Sequence, residues 1–337
     1  MRGQGKGEQE TTRRHRRSPR IGRPPSTMSG VYYIKKPLDE IDTSEGALPL
    51  NLQRIAEDEL GEIPARRKES LEKLRQLLSE EEEYLCPRKD AAFLLRFLRV
   101  RKYNVEAALR TIRNYYRNHS TSGPVFRDLL PSSISPATRR IMMIMPEKDV
   151  YGRPIFFIKM GSWDVVETSY VEMHRASMLC LEHLAKDPTT QTLGMVMLFD
   201  YANLTPEKVL SINVGLIRKG FEYLQDCMPM RMKAMYAVRE GLAFDLLYAL
   251  IKPFLKKKMT ERFHPYGENF EELHKHISPQ ILPKEYGGDA PPLDFDGFWS
   301  KLEAYEEDYK EGNNYGYITN NHDFATDAEI ENEVTFL

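Results

Sequence analysis

Apolar and cationic residues follow one another in a single stretch, AFDLLYALIKPFLKKKMTER, at residues 243–262. Phe244, Leu247, Tyr248, Ile251, Phe254 and Leu255 keep the spacing of one helix face. Lys256, Lys257 and Lys258 come next, with Arg262 one turn on. Such a stripe suits an anionic membrane surface: the apolar face enters the acyl boundary and the ammonium groups meet phosphate. It equally suits a helix that covers a core and ends in Lys to complement its dipole. The segment by itself leaves both readings open. Pro253 removes a backbone donor, so the helix is expected to kink or end near Lys252.

Other chemistry is sparse. No GxSxG, GxGxxG after a strand, GxxxxGK[ST], HExxH or CxxxxxR pattern occurs, so an enzyme is not expected. His274 and His276 diverge on a helix and read as structural rather than metal ligands. Asp200 ends an apolar run, where a turn-capping role outweighs that of a catalytic acid. Cys86, Cys180 and Cys227 show no paired or metal spacing, and their odd number points to reduced thiols and a cytoplasmic location. No run of about 18 apolar residues spans a membrane, and no signal peptide opens the chain. Neither a cofactor nor a metal is expected. Methionine is abundant between Met142 and Met235, and its flexible thioether suits either plain core or an adaptable apolar cavity.

Charge is uneven. Residues 1–27 carry eight Lys/Arg and two Glu, a net +6, which leaves −8 for the rest of a chain of net −2. That arm is poor in large apolar residues and is expected to be disordered. Nucleic acid is not expected as a partner.

The elements that must position these residues fall in two blocks. Residues 50–119 read as helices, with Leu71, Leu74, Leu77 and Leu78 at helical spacing and Asn104 as an N-cap. From residue 141 strands and helices alternate. Two strands flank a turn at Asp149, Tyr151 and Gly152, followed by a helix over 169–186 and a strand over 192–200. A helix over 205–224 capped by Thr205, a strand over 232–238, the opening helix, a turn at 265–267 and a helix over 269–276 complete it. This alternation predicts an α/β domain with a mixed, mainly parallel sheet.

At this point particular words can be compared. FLLRFLRVRKYN at 93–104, LFD at 198–200, LIKPFLKKKMTERFHPYG at 250–267 and ILPKEYGGDAPP at 281–292 resemble the CRAL-TRIO lipid-transfer family. The resemblance is strongest to the branch of α-tocopherol transfer protein, clavesin and cellular retinaldehyde-binding protein. It covers roughly residues 55–308. It implies a small all-α domain over 51–130 and a CRAL-TRIO lipid-binding domain over 131–308; the disordered basic arm and linker over 1–50 and the disordered acidic tail over 309–337 are read from composition and lie outside it. It also implies that Phe244, Leu247, Tyr248, Ile251, Phe254 and Leu255 belong to a lid over a single-lipid pocket. Burying ~400 Å² of apolar ligand at ~25 cal/mol/Å² is worth on the order of 10 kcal/mol before costs, enough to hold lipid against water.

By the same resemblance His174, Ser177, Met195, Phe199, Tyr223, Met228 and Met235 line the pocket. Arg101, Arg231, Lys233, Lys258 and Arg262 form a cleft for phosphoinositide head groups, and Lys256 and Lys257 add charge beside it. His174 stands where the branch has an aromatic, Leu181 where it has a hydroxyl, and Met replaces several branched residues. The bound lipid, tocopherol- or retinoid-like, is therefore left open. The implied function is a non-enzymatic carrier that docks on phosphoinositide-bisphosphate membranes, endosomal or plasma, with a phosphoinositide-sensing adaptor as the alternative. Thr335-Phe336-Leu337 also fits a C-terminal PDZ ligand.

Overall fold

Strand residues here are apolar on both faces, which calls for cover on both sides of a sheet. The computed structural model, which describes residues 44–318, supplies it. A five-stranded sheet runs in the order β2 (Met142–Lys148), β3 (Pro154–Lys159), β4 (Met195–Asp200), β5 (Met232–Val238) and β6 (Phe263–Pro265). The first pair is antiparallel and the other three are parallel. A two-stranded ladder joins β1 (Leu85–Cys86) to β7 (Gly316–Tyr317). One sheet face, with Met142, Phe156, Ile158, Met197 and Met235, packs under the helices Tyr170–Lys186, Val214–Glu222 and Leu242–Ile251. The other, with Ile155, Phe157, Val196 and Tyr236, packs against the 270–286 region. The fold class is the mixed, mainly parallel α/β sheet preceded by helices that the strand–helix alternation predicts.

The turn before β3 follows from one side chain: Asp149 Oδ1 accepts from the Tyr151 and Arg153 amides at 2.9 and 2.8 Å. Among the described residues, four helices of ten residues or more precede the sheet: Leu50–Leu60, Pro64–Ser79, Ala91–Val100 and Val105–Thr121. Asn104 caps the last of them, accepting from the Ala107 amide at 2.9 Å. Arg99 fastens this block to the sheet half: it donates to Glu62 at 2.8 and 2.9 Å and to Gln191 Oε1 at 2.5 Å.

Several expectations need correction. The strand over 192–200 begins only at Met195, because Asp187 caps a helix, Pro188–Leu193, by accepting from the Thr189 and Thr190 amides. The helix over 205–224 is two, Pro206–Leu210 and Val214–Glu222. Asn213 starts the second by accepting from the Leu216 amide at 3.0 Å, a role short polar side chains prefer to a helix interior. The opening segment is not one helix. Its α-helical part ends at Ile251, a 3-10 turn carries Lys252–Phe254, and a new turn starts at Lys257. Pro253 thus ends the helix where its missing donor predicts. Within the stretch expected to be a disordered tail, the helix Glu306–Gly312 and strand β7 are formed. The arm and the PDZ-type terminus lie outside the described residues.

Candidate apolar cavity and cationic cleft

Between sheet and helices lies a cavity of about 160 Å³. Its floor is Phe156, Ile158, Met197, Phe199 and Met235 from alternate positions of β3, β4 and β5. One wall carries His174, Ser177 and Leu181 from the Tyr170–Lys186 helix. Leu247, Tyr248, Ile251 and Leu255 close it from the opposite side. The lining is nearly all apolar. The Ser177 hydroxyl donates to its own helix at the Met173 carbonyl, 3.0 Å away, and burial pulls the His174 pKa down to about 4, so its imidazole is neutral. Such a cavity offers dispersion and desolvation with few polar anchors.

Of the seven pocket residues the resemblance implied, His174, Ser177, Phe199 and Met235 line this cavity. Met195, Tyr223 and Met228 do not. Tyr223 is fully buried elsewhere, its hydroxyl donating to Glu182 at 2.6 Å and its ring beside His119 and Phe126. Of the six stripe residues, Phe244 and Phe254 are off the lining. Phe244 packs on Tyr201 and Phe263 at 4.8 and 5.8 Å. Phe156, Ile158 and Phe263 were missed; the period of two along β3 is the signal that points to the first two.

His174 has a measurable consequence. Its folded pKa lies below the 6.5 of the unfolded side chain, so the unfolded state binds the extra proton between pH 6.5 and about 4. Stability is complete above that window and falls as pH drops through it. The expected loss at pH 5 is about 2 kcal/mol. The difference between wild type and His174→Gln in denaturant melts at pH 7 and 5 measures it, because other buried histidines such as His119 add losses of their own.

The cations converge at the edge of the same unit. Arg101 follows the Ala91–Val100 helix, Arg231 precedes β5, Lys233 lies within it, and Lys258 and Arg262 lie just before β6. Arg231 and Lys233 share one carboxylate oxygen, Glu59 Oε2, at 2.9 and 3.5 Å. Burial raises the Glu59 pKa, but the two cations hold it below the ordinary range. The guanidinium groups are otherwise positioned by neutral oxygens. Arg101 donates to Thr111 Oγ1 at 2.6 Å and to the Asp226 carbonyl at 3.3 Å, Arg231 to the Thr192 carbonyl, and Arg262 to the Met232 carbonyl. Among the described residues, Arg101, Lys258 and Arg262 make no ion pair with a carboxylate.

Repulsion therefore goes uncompensated. Arg262 above all, then burial, then Arg101, Lys102 and Arg231 push the Lys258 pKa down. Lys102 is a member of this cluster that the sequence reading missed. Lys256 and Lys257 are placed differently: Lys256 pairs with Asp226, and the exposed Lys257 stands 4.0 Å from Glu261. Gly194 makes the cleft floor possible. A Cβ there would meet the Arg231 carbonyl at 2.4 Å and Lys233 Cγ at 2.9 Å, and its φ of +81° also demands glycine.

Cavity and cleft are adjoining. Leu255 closes the cavity and Lys258, three residues on, stands in the cation cluster. Gln225 clamps the joint between them, donating to the Phe254 carbonyl at 3.0 Å and accepting from the Lys256 amide at 2.7 Å. Among the described residues no group of three His, Cys, Asp or Glu is placed to hold a metal, and no helix is long and apolar enough to cross a membrane.

Residues 138–288 match the CRAL/TRIO domain and residues 70–114 the CRAL/TRIO N-terminal domain. Alpha-tocopherol transfer protein-like of Mus musculus is 36% identical over 264 residues, covering 78% of this chain and 77% of its own. The chain belongs to the CRAL/TRIO family. Clavesin-1 of Xenopus laevis is 31% identical over 268 residues, covering 78% of this CRAL/TRIO chain and 80% of clavesin-1. The crystal structure of Sfh5 shares the CRAL/TRIO fold with a TM-score of 0.51 at 13% identity, covering 74% of this chain and 99% of Sfh5.

Proposed function

We propose that this CRAL/TRIO protein is a non-enzymatic carrier of one hydrophobic lipid, which it loads or releases while docked on phosphoinositide-bisphosphate membranes. The observation that carries this reading is the three-residue step from Leu255 in the cavity to Lys258 in the cation cluster. A bisphosphorylated head group drawn to Arg101, Lys258 and Arg262 pulls on the segment that closes the cavity. The exposed apolar face of Leu242–Ile251 then enters the acyl boundary, where opening costs least. Pro253 ends the helix between the two sites and supplies the joint. The protein acts as a peripheral protein on cytosolic membrane faces.

Transfer of a fluorescent tocopherol or retinoid analogue between vesicles tests this. The expected result is transfer that speeds up when the acceptor contains phosphatidylinositol bisphosphate. Docking without faster transfer of any co-purifying lipid would overturn the carrier reading in favour of an adaptor.

Glu59 gives a second expectation. Its carboxylate occupies donors of Arg231 and Lys233 that a phosphate would use. Glu59→Gln frees them and lowers local negative charge, so docking on bisphosphate vesicles is expected to tighten by about fivefold, roughly 1 kcal/mol. Vesicle co-sedimentation reads this directly, and weaker docking would contradict the placement.

A further inference from the structure

A second cavity, of about 530 Å³, shares no lining residue with the apolar one. It opens between the helices Ala91–Val100, Val105–Thr121, Tyr170–Lys186 and Glu306–Gly312. Its size falls in the range of small-molecule sites.

The deciding residue is Arg96. It is 6% exposed and lines this cavity, yet its Nε has no hydrogen-bond partner among the described residues. Its Nη1 forms a long ion pair with Glu182 Oε2, 4.0 Å away and beyond hydrogen-bond reach, and the guanidinium carbon lies 5.3 Å from the Phe93 ring centroid. The other Glu182 oxygen already accepts from Tyr223 at 2.6 Å. A buried guanidinium Nε without an acceptor is costly, and native proteins rarely leave one so. Lys186 adds a second cation from the facing helix, 3.5 Å from Asp308 and 4.2 Å over the Tyr309 ring. Its lowered pKa follows from burial first, and Arg96 contributes.

Beside the cations the surface is flat and aromatic. His119 stacks on Phe126 with centroids 3.7 Å apart and planes 16° apart. Burial pulls the His119 pKa down to about 3, so the ring is a neutral face rather than a third cation. We propose that this cavity is a second ligand site, which takes a small carboxylate on a flat apolar body, its charge held by Arg96 and Lys186. The carboxylate supplies the acceptor that Glu182 is too distant to give, and the body lies along His119 and Phe126. The reading does not rest on the lipid function of the first cavity.

Isothermal titration of the full chain with 2-naphthoate tests it. The expected result is saturable one-site binding, with the uncharged 2-naphthalenemethanol weaker by about tenfold or more. Arg96→Met is expected to cost at least about tenfold as well. Gly312→Trp provides an independent variant: a Cβ there meets nothing within 4 Å, and the indole occludes the cavity from an exposed helix. Ser177→Trp, which fills the apolar cavity, is expected to leave 2-naphthoate binding unchanged. The proposal is overturned by absence of saturable binding or by equal affinity for the alcohol. Full affinity in Arg96→Met or Gly312→Trp, or loss in Ser177→Trp, overturns it too.

Discussion

Replacing Arg231, Lys258 and Arg262 together by Ala is expected to abolish docking on vesicles containing phosphatidylinositol bisphosphate. Each basic residue near an anionic surface contributes about 1 kcal/mol, so three together are worth about 3 kcal/mol, or roughly 150-fold in affinity. The fold should survive. Arg231 and Arg262 are held by the Thr192 and Met232 carbonyls, and Lys258 is pushed down by Arg262, so the substitutions relieve repulsion among like charges. The Arg231–Glu59 pair is lost as well and offsets that relief, so the melting temperature is expected to change little while docking is lost. Raising salt should weaken wild-type docking in the same direction, because exposed charges are screened over about 8 Å at physiological ionic strength. Wild-type docking by the triple variant, with its fold intact, would remove the head-group reading. Native mass spectrometry on the same variant shows whether lipid retention is independent of docking.

The second large effect concerns stability. Asp200, fully buried at the end of β4, accepts from the Ala202 amide at 2.9 Å, Arg239 Nε at 2.9 Å and the Tyr286 hydroxyl at 2.8 Å. Asp200→Ala leaves Arg239 with the Glu285 carboxylate alone, 3.4 Å away, and takes the acceptor from the Ala202 amide and the buried Tyr286 hydroxyl. Breaking such a pair from one side costs about 3–5 kcal/mol, a large fraction of a domain's stability. Denaturant unfolding measures it, and the double variant Asp200→Ala with Arg239→Leu is expected to recover part of the loss, because the guanidinium is then removed together with its main acceptor. A loss below about 1 kcal/mol would mean that water satisfies Arg239 as well as Asp200 does.

That network explains a motif that carried weight only as a resemblance. In ILPKEYGG, Tyr286 is fully buried and donates to Asp200, and Glu285 pairs with Lys159 at 3.2 Å. Gly288 must be glycine, since a Cβ there would stand 2.0 Å from the Leu282 carbonyl. The words are a clamp that seals the end of β4. The turn role expected of Asp200 is right as far as its bond to Ala202 goes. Arg239 and Tyr286, 39 and 86 residues away, were beyond the reach of any local rule.

Legibility varied with how local the cause was. Asn104 as a cap, the Asp149 turn and the stop at Pro253 each depend on a few neighbouring residues, and each reads correctly. The long helix drawn over 205–224 failed because Asn213 has two local options, helix interior or cap, and tertiary packing chose the cap. Strand β6 lies between the opening stretch, which ends at Arg262, and the turn at 265–267, and was not expected. It is only three residues long and exists because β5 offers it an edge.

The amino-acid sequence by itself determined the CRAL/TRIO family, the α/β class, and an apolar stripe running into cations, because residue type and spacing carry these directly. It left open whether that stripe merely covers a core. Tertiary structure decided what each residue of the stripe does. Leu247, Tyr248, Ile251 and Leu255 close a cavity, Phe244 packs on aromatics, and of the adjoining lysines only Lys258 joins the cation cluster. The reason is physical: a cavity and an uncompensated charge cluster are made by residues far apart in the chain, and Gln225, Asp226 and Glu59 fix which neighbours are spent on ordinary partners.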